Sequence, residues 1–337
     1  MITVVMPVYN GEKYLNETLQ SILRQGEAIS GILIINDGST DETEKIIRSW
    51  ETKEKKISHI NKKNEGVAKA RNRGLQEVNS RYVWFFDADD IMPAGTAERI
   101  LEKLEESGAD YCIGNCAYYH EGGRIVPTEL YVPDHLWKED RIEIFSWYES
   151  PGNKIFRTEF LKENHINFPS YKIAEDTSFC SKCVVKSSLI VSISDCIELY
   201  RIYDGSSSHR YNSTVLDKLK AFAEIRAYLK ENGMGEEWFA RQTYNELYHY
   251  KVVFKTLPLY SDKKERVLIE NKFEEAFYRL NLDQLKHLKE YENCQKYIKE
   301  IRFIVMIKSL YMLQPVSWML RTARRGKQIL RRIMSKR

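Results

Sequence analysis

The stretch Tyr82-Val83-Trp84-Phe85-Phe86-Asp87-Ala88-Asp89-Asp90 decides the fold. Its first five residues are aromatic or β-branched, the composition and length of a buried strand. Three carboxylates follow at once, so Asp87, Asp89 and Asp90 stand where the strand leaves the sheet. Ligands bind at that edge in open α/β sheets. Carboxylates this close repel one another, and a divalent cation with oxygen ligands relieves the repulsion while orienting a phosphate. Two readings stay open at this point: a metal and nucleotide site, or an acidic turn in which Asp90 caps the helix that follows Pro93.

Upstream, strand and helix patterns alternate. Residues 2–6 are apolar, Tyr9-Asn10-Gly11 turns the chain, and Tyr14, Leu15, Thr18, Leu19, Ile22 and Leu23 recur at helical spacing. Residues 31–35 form the next strand. Asp37-Gly38 then turns, and Ser39 with Glu42 has the form of a capping box opening a helix through Trp50. A strand near residues 57–60, a turn at Asn64-Glu65-Gly66 and a helix over 67–78 lead to the opening stretch. Repeated βα units of this length require an α/β fold with a mostly parallel sheet and helices on both faces.

Downstream, a helix over 94–107 and a strand over 111–114 are followed by a loss of periodicity between residues 121 and 152. A long irregular insert in a compact domain is commonly functional, and an acceptor-binding loop is expected there. Order returns with a strand over 154–156, a helix over 158–163, a polar turn at Glu175-Asp176 opening a helix through Lys186, and strands over 190–193 and 198–202. The Ser-rich segment 205–209 marks a boundary. Three regions are expected: a catalytic domain over 1–205, a helical extension over 206–300, and a distinct tail over 301–337.

Charge separates the tail from the body. Beyond Glu300 there is no Asp or Glu, and the Lys and Arg residues there contribute +10, which leaves −6 for residues 1–300 of a chain whose formal charge is +4. Phe303, Ile304, Ile307, Leu310, Tyr311, Leu313, Val316, Trp318, Met319 and Leu320, broken by Lys308 and bounded by arginines, form a basic amphipathic pattern that lies on a membrane rather than crossing it. A basic helix that docks on a partner or binds nucleic acid without sequence preference is the competing reading. No stretch reaches 18 uninterrupted apolar residues and no leader pattern opens the chain, so a peripheral position on the cytoplasmic face of the cell membrane is expected. The six cysteines suit a reducing compartment, and Cys180 and Cys183 read as buried helix residues more readily than as half a zinc site.

Four segments close the first four strands or follow them: Val5-Met6-Pro7-Val8-Tyr9-Asn10, Asn36-Asp37-Gly38-Ser39-Thr40-Asp41, Asn64-Glu65-Gly66-Val67-Ala68-Lys69-Ala70-Arg71-Asn72, and Asp87-Ala88-Asp89-Asp90. In a parallel sheet all four emerge at one edge and can line one cleft. Together with Glu175-Asp176 they resemble the family 2 glycosyltransferases, inverting enzymes of GT-A fold that include many bacterial polysaccharide synthases. The resemblance covers about residues 1–205, with one departure at Asn36, where the family often has Asp.

The resemblance implies a nucleotide-sugar donor, commonly UDP-linked, with Mn2+ or Mg2+ as cofactor, and a saccharide or lipid-linked saccharide acceptor. Pro7, Tyr9 and Glu12 would flank the nucleotide, Asp37 would accept from the uracil N3–H, and Arg71 would lie near base and phosphates. Asp87 would contact the ribose. Asp89 would ligate the metal, with Asp90 and His209 as further candidates. Asp176 matches the base that takes the acceptor proton, although the start of a helix also suits an N-cap. Glu175, Asn153 and Lys154, with Arg157, match the acceptor side. No pattern in the chain points to specific nucleic-acid binding, and the helical region is a candidate surface for a homo-oligomer. Competing classes are a nucleotidyltransferase, which needs a Gly-rich, Arg-containing loop that residues 6–11 lack, and a non-catalytic binder driven by the tail.

Overall fold

The computed structural model describes residues 1–145, 149–203 and 211–312, with side chains to residue 306. Strand β1 (Ile2–Val8) pairs in parallel with β2 (Ile29–Asn36) on one side and β4 (Tyr82–Phe85) on the other, and β3 (Ile57–Asn61) lies outside β2. The chain therefore moves outward from β1 to β3, then returns across β1 to β4. That reversal creates a switch point between β1 and β4, and a crevice opens there at the carboxyl ends of the strands.

The sheet continues through β5 (Tyr111–His120), β6 (Ile125–Pro127), β7 (His135–Trp137), β8 (Lys154–Arg157) and β9 (Ile190–Ile202), in the order β3-β2-β1-β4-β8-β5-β9-β7, with β6 on β5. Strands β1 to β5 and β9 point one way; β6, β7 and β8 run against them. The βα alternation requires the parallel half. The antiparallel entry of β8 between β4 and β5 is a long-range choice, so the sheet is mixed. Strand β9 is continuous where the sequence suggests two pieces, because irregular register opposite Asn115 absorbs its polar centre.

The period of two along each strand places helices on both faces. Ile2, Val4, Met6 and Val8 share one apolar cluster with Leu15, Leu19 and Ile22 of α1 (Leu15–Leu23), Ile47 of α2 (Thr43–Lys53), and Ile100 and Leu104 of α4 (Thr96–Ser107). Val5 points the other way, onto α3 (Val67–Glu77), where a Cβ on Gly74 would stand 2.3 Å from Val5 Cγ1. Trp84 of β4 meets Phe86, just past the strand, edge-on at 5.7 Å, while Phe85 meets Phe168 and Phe179 at 5.0 and 5.7 Å on the opposite face. Phe179 belongs to α6 (Glu175–Lys186), which follows the short α5 (Thr158–Glu163).

The capping box expected at Ser39 and Glu42 does not form. Ser39 Oγ accepts from the Asn10 N–H at 3.0 Å, and α2 opens instead at Thr43, whose N–H donates to Asp41 Oδ1 at 3.1 Å. A contact from another loop outcompetes the local one.

Two compact units make up the chain, residues 1–210 with 214–242, and 211–213 with 243–337. Helix α7 (Asp217–Glu231) belongs to the first. The second holds most of α8 (Glu236–Thr256), α9 (Lys263–Tyr278) and α10 (Tyr291–Met312), with Tyr250 edge-on to a buried Phe273 at 5.3 Å in its interior. Among the described residues no helix is long and apolar enough to cross a membrane.

Gly74→Ala is expected to destabilise the first unit by roughly 1–3 kcal/mol, because the added methyl overpacks Val5 inside the sheet; urea unfolding followed by circular dichroism measures it.

Candidate active site

Every C-terminal strand end at the crevice delivers a polar side chain. Asp37, at the end of β2, is buried, and its Oδ1 accepts from Lys62 Nζ at 2.5 Å and the Glu65 N–H at 3.0 Å, its Oδ2 from the Gly66 N–H at 2.8 Å. One carboxylate thus ties β2 to the loop that starts α3. Gly38 makes the approach possible: its φ is +75° and a Cβ there would lie 2.8 Å from the Asn64 backbone nitrogen. The loop after β1 is laced to the start of α2. Asn10 Oδ1 accepts from the Thr40 N–H at 2.8 Å, and Glu12 Oε2 from the Glu42 N–H at 2.9 Å. Pro7 is buried within β1 opposite Ile35, whereas Tyr9 stands 52% exposed at the mouth.

Helix α3 carries Arg71 into the interior, where the guanidinium joins both sides of the crevice. Its Nη2 donates to Asp87 Oδ1 at 2.8 Å, and its Nη1 donates to Asp176 Oδ1 at 2.6 Å and lies 3.5 Å from Glu175 Oε1. Its plane sits 5.3 Å from the Phe168 ring, which stacks on Phe179 at 3.8 Å. Burial alone would lower the Arg71 pKa; Asp176, Asp87 and Glu175 reverse that and hold the charge fixed. Burial raises the Asp176 carboxyl well above the ordinary range, with Arg71 opposing and Glu175, Asp87 and Glu149 adding to the rise. Its side chain keeps 29% exposure, and Oδ2 takes no hydrogen bond among the described residues. The helix that presents it starts from Ala174, a non-glycine residue at φ +64°, a conformation that costs roughly 1 kcal/mol or more.

The Asp-rich turn is held from behind by the end of β9. The Arg201 N–H donates to Asp90 Oδ1 at 2.8 Å, its Nε to the Asp89 carbonyl at 2.6 Å, and its Nη2 to Glu17 Oε2 at 2.7 Å. The Tyr203 hydroxyl donates to Asp89 Oδ2 at 3.0 Å. Asp90 is buried, with Oδ2 lacking a hydrogen-bond partner among the described residues, and burial with Glu198, Asp89 and Asp87 pushes its carboxyl well up. Asp89 is half-buried and raised by burial and Asp87.

Residues 3–168 match the family described as glycosyl transferase family 2. That match identifies residues 3–168 as a glycosyltransferase family 2 domain. It is 29% identical over 220 residues to the glycosyltransferase GlyA of Streptococcus pneumoniae, covering 61% of this chain and 31% of that protein. It therefore spans less than a third of that relative's length. It is 28% identical over 281 residues to the poly(ribitol-phosphate) beta-N-acetylglucosaminyltransferase TarP of Staphylococcus aureus, covering 81% of this chain and 77% of TarP. In fold it is similar to the crystal structure of S. aureus TarS 1-349 in complex with UDP-GlcNAc, with a TM-score of 0.70, 22% identity and 90% of each chain covered. This places the family 2 domain in the GT-A α/β fold.

Among the residues singled out by sequence, the fold brings Arg71, Asp87, Glu175 and Asp176 into one network and sets Asp89 and Asp90 beside it. Asn153 and Lys154 are buried at the start of β8: Asn153 Nδ2 donates to the Gly114 carbonyl at 2.7 Å and Lys154 Nζ to the Ser150 carbonyl at 2.7 Å. His209 lies outside the described residues. Sequence reasoning missed Lys62, Arg201 and Tyr203. The last two close a strand that points to the same edge as β4, and a polar pair at the end of an apolar strand is the signal that marks them.

The donor set suits a hard divalent cation. It is all oxygen, Asp89 Oδ1 takes no hydrogen bond among the described residues, and no group of three or more His, Cys, Asp or Glu encloses a metal by itself among them. One carboxylate completed by phosphate oxygens is the arrangement magnesium-type ions accept.

Glu198, buried on β9, is pushed up to about 8 by burial and by Asp87, against Lys154 and Arg71. A raised carboxyl favours the protonated fold, so its contribution is complete below the unfolded value and is lost as pH rises through about 8. Glu198→Gln is expected to remove that loss, gaining stability over wild type by up to about 1.4 kcal/mol per pH unit across the window. Urea titrations at a series of pH values between 5 and 9 test it; an equal offset at every pH would contradict it.

Proposed function

We propose that the protein is an inverting glycosyltransferase that moves a hexose or N-acetylhexosamine from a UDP-linked sugar to a saccharide acceptor, a lipid-linked intermediate in bacterial surface polysaccharide synthesis. The observation that carries this reading is the Arg71 bridge, which brings Asp87 at the end of β4 and Asp176 at the start of α6 onto one guanidinium. Donor-side and acceptor-side carboxylates then face a single cleft at the switch point. The family 2 domain and the bacterial surface-polymer enzymes among the relatives support the same class. The GT-A fold shared with a structure holding UDP-GlcNAc supports a UDP-sugar, and N-acetylglucosamine is the sugar to try first.

On this reading the acceptor oxygen attacks the anomeric carbon as its proton passes to Asp176 Oδ2. The bond from that carbon to the diphosphate oxygen breaks, and the nucleoside diphosphate leaves with the electron pair, so configuration inverts. A raised pKa makes Asp176 a stronger base, while Arg71 on Oδ1 fixes its direction. Asp37 would read the uracil, with Pro7, Tyr9 and Glu12 flanking it. Asp87 would meet the ribose. Glu175 would border the acceptor, with Asn153 and Lys154 supporting that side from within the fold. Asp89, with Asp90 behind it, would hold Mn2+ or Mg2+, which when bound supplies charge neutralisation for the departing diphosphate. The basic segment beyond residue 300 would bring the enzyme to an anionic membrane face.

Two experiments test the proposal. A panel of nucleotide sugars should give metal-dependent transfer or slow hydrolysis with a UDP-sugar, abolished by chelation and restored by Mn2+ or Mg2+. Asp176→Asn should lower kcat by roughly 10²–10⁴-fold, the usual worth of a general base. Asp89→Ala should abolish the response to metal. Turnover unchanged in both variants would overturn the proposal.

A further inference from the structure

We propose that Glu224, on α7, is a positioning residue for the base, acting as a strap across the strained start of α6; this rests on the reading of Asp176 as the base. One carboxylate oxygen spans the feature. Glu224 Oε2 accepts from the Tyr171 hydroxyl at 3.0 Å on one side of Ala174 and from Ser178 Oγ at 2.8 Å on the other. Between these two anchors lie the left-handed Ala174, Glu175 and Asp176. Glu224 Oε1 is held in turn by Lys182 Nζ at 2.6 Å, one turn further along α6. A second carboxylate of α7 repeats the contact, since Asp217 Oδ2 accepts from the Lys172 N–H at 3.0 Å.

The strap is needed because the local chain does not favour the conformation it holds. An L-residue at φ +64° relaxes by rotating toward negative φ, and the rotation would re-aim the two carboxylates that immediately follow it. Arg71 fixes the tip of the Asp176 side chain but makes no bond to the 171–178 backbone. Asn72 clasps Phe168, with Nδ2 donating to its carbonyl at 2.8 Å and Oδ1 accepting from its N–H at 2.9 Å, which ends the restraint before residue 171. Beyond it, Asp217 holds Lys172 and Glu149 Oε2 accepts from Thr177 Oγ1 at 2.7 Å, while Glu224 bonds on both sides of Ala174 through one oxygen. It lies beyond the family match at residues 3–168, in a helix that sequence patterning assigns to an extension outside the catalytic domain.

The test uses the full chain, Mn2+ or Mg2+, and the UDP-sugar that wild type turns over. Glu224→Ala is expected to lower kcat roughly ten- to a hundredfold with the donor KM unchanged, as for a misplaced catalytic group. Glu224→Gln, isosteric and able to accept through one oxygen only, should fall between them and serves where the alanine variant does not fold. Amide hydrogen exchange should quicken at residues 174–178 in both variants while β1, β2 and β4 keep their protection. Ala174→Gly added to either should recover part of kcat, since glycine adopts this φ without strain. The inference is overturned by unchanged kcat per folded molecule, by loosening spread evenly over the unit, or by no recovery with Ala174→Gly. Asp176→Asn run alongside keeps the two readings apart. If it retains full turnover the base assignment fails, whereas loss in Asp176→Asn with none in the Glu224 variants removes only the strap.

Discussion

A single buried guanidinium holds the two halves of the cleft together. Arg71 is 2% exposed, and its ion pairs to Asp87 and to Asp176, the latter 105 residues from Arg71 in sequence, join the end of a central strand to the start of a helix. Such a group carries a large desolvation cost, offset only when its donors are matched by carboxylates at hydrogen-bond distance. The planar fork of arginine suits that task, because separate nitrogens serve separate partners; a lysine ammonium would offer one point of charge. The same pairing keeps the acidic groups tolerable at close range, since burial and neighbouring carboxylates, Asp87 for both, push Asp176 and Glu175 toward the neutral form and Arg71 opposes both.

Around that charge, the cleft is built by loops that lock one another. Asp37 orders the 62–66 loop and so the start of the helix that carries Arg71; Asn10 and Glu12 fasten the first loop to the second. Arg201 secures the acidic turn through its backbone amide and side chain while its guanidinium lies 4.4 Å from the Tyr14 ring. Each of these contacts uses a strand end, and the backbone polar groups freed there need partners. The site is therefore rigid for the same reason that it is polar. Its apolar floor, in which Phe85 and Phe179 each meet Phe156 and Phe168, is buried beneath the charges, and the low local polarity strengthens them.

Much of this was legible in the residues. Tyr82 to Asp90 announces a buried strand that ends in carboxylates, and the βα rhythm before it admits few folds other than a parallel sheet whose strand ends share an edge. Local pattern does not reach the partner of each polar group. Ser39 and Glu42 look like a capping box, yet Ser39 serves Asn10. Asn153 and Lys154 match the acceptor side by resemblance, and sequence gives no sign that both side chains are buried and donate to backbone carbonyls. Arg201 has only its place at the end of a strand to mark it in sequence, and its partners appear only where β9 meets the turn after β4.

Strand and helix periods, the turn residues and the order of the four loops are short-range properties, and sequence by itself determined them: the α/β class and the sheet edge at which the acidic turn emerges, with Asp37, Arg71, Asp87, Asp89 and Asp176 as the candidates that the family resemblance implies. Tertiary structure alone decided the antiparallel insertion of β8, the continuity of β9, the Arg71 bridge and the strap from α7. Those depend on which distant groups meet, and a buried charge is satisfied by whichever partner the packing brings within about 3 Å.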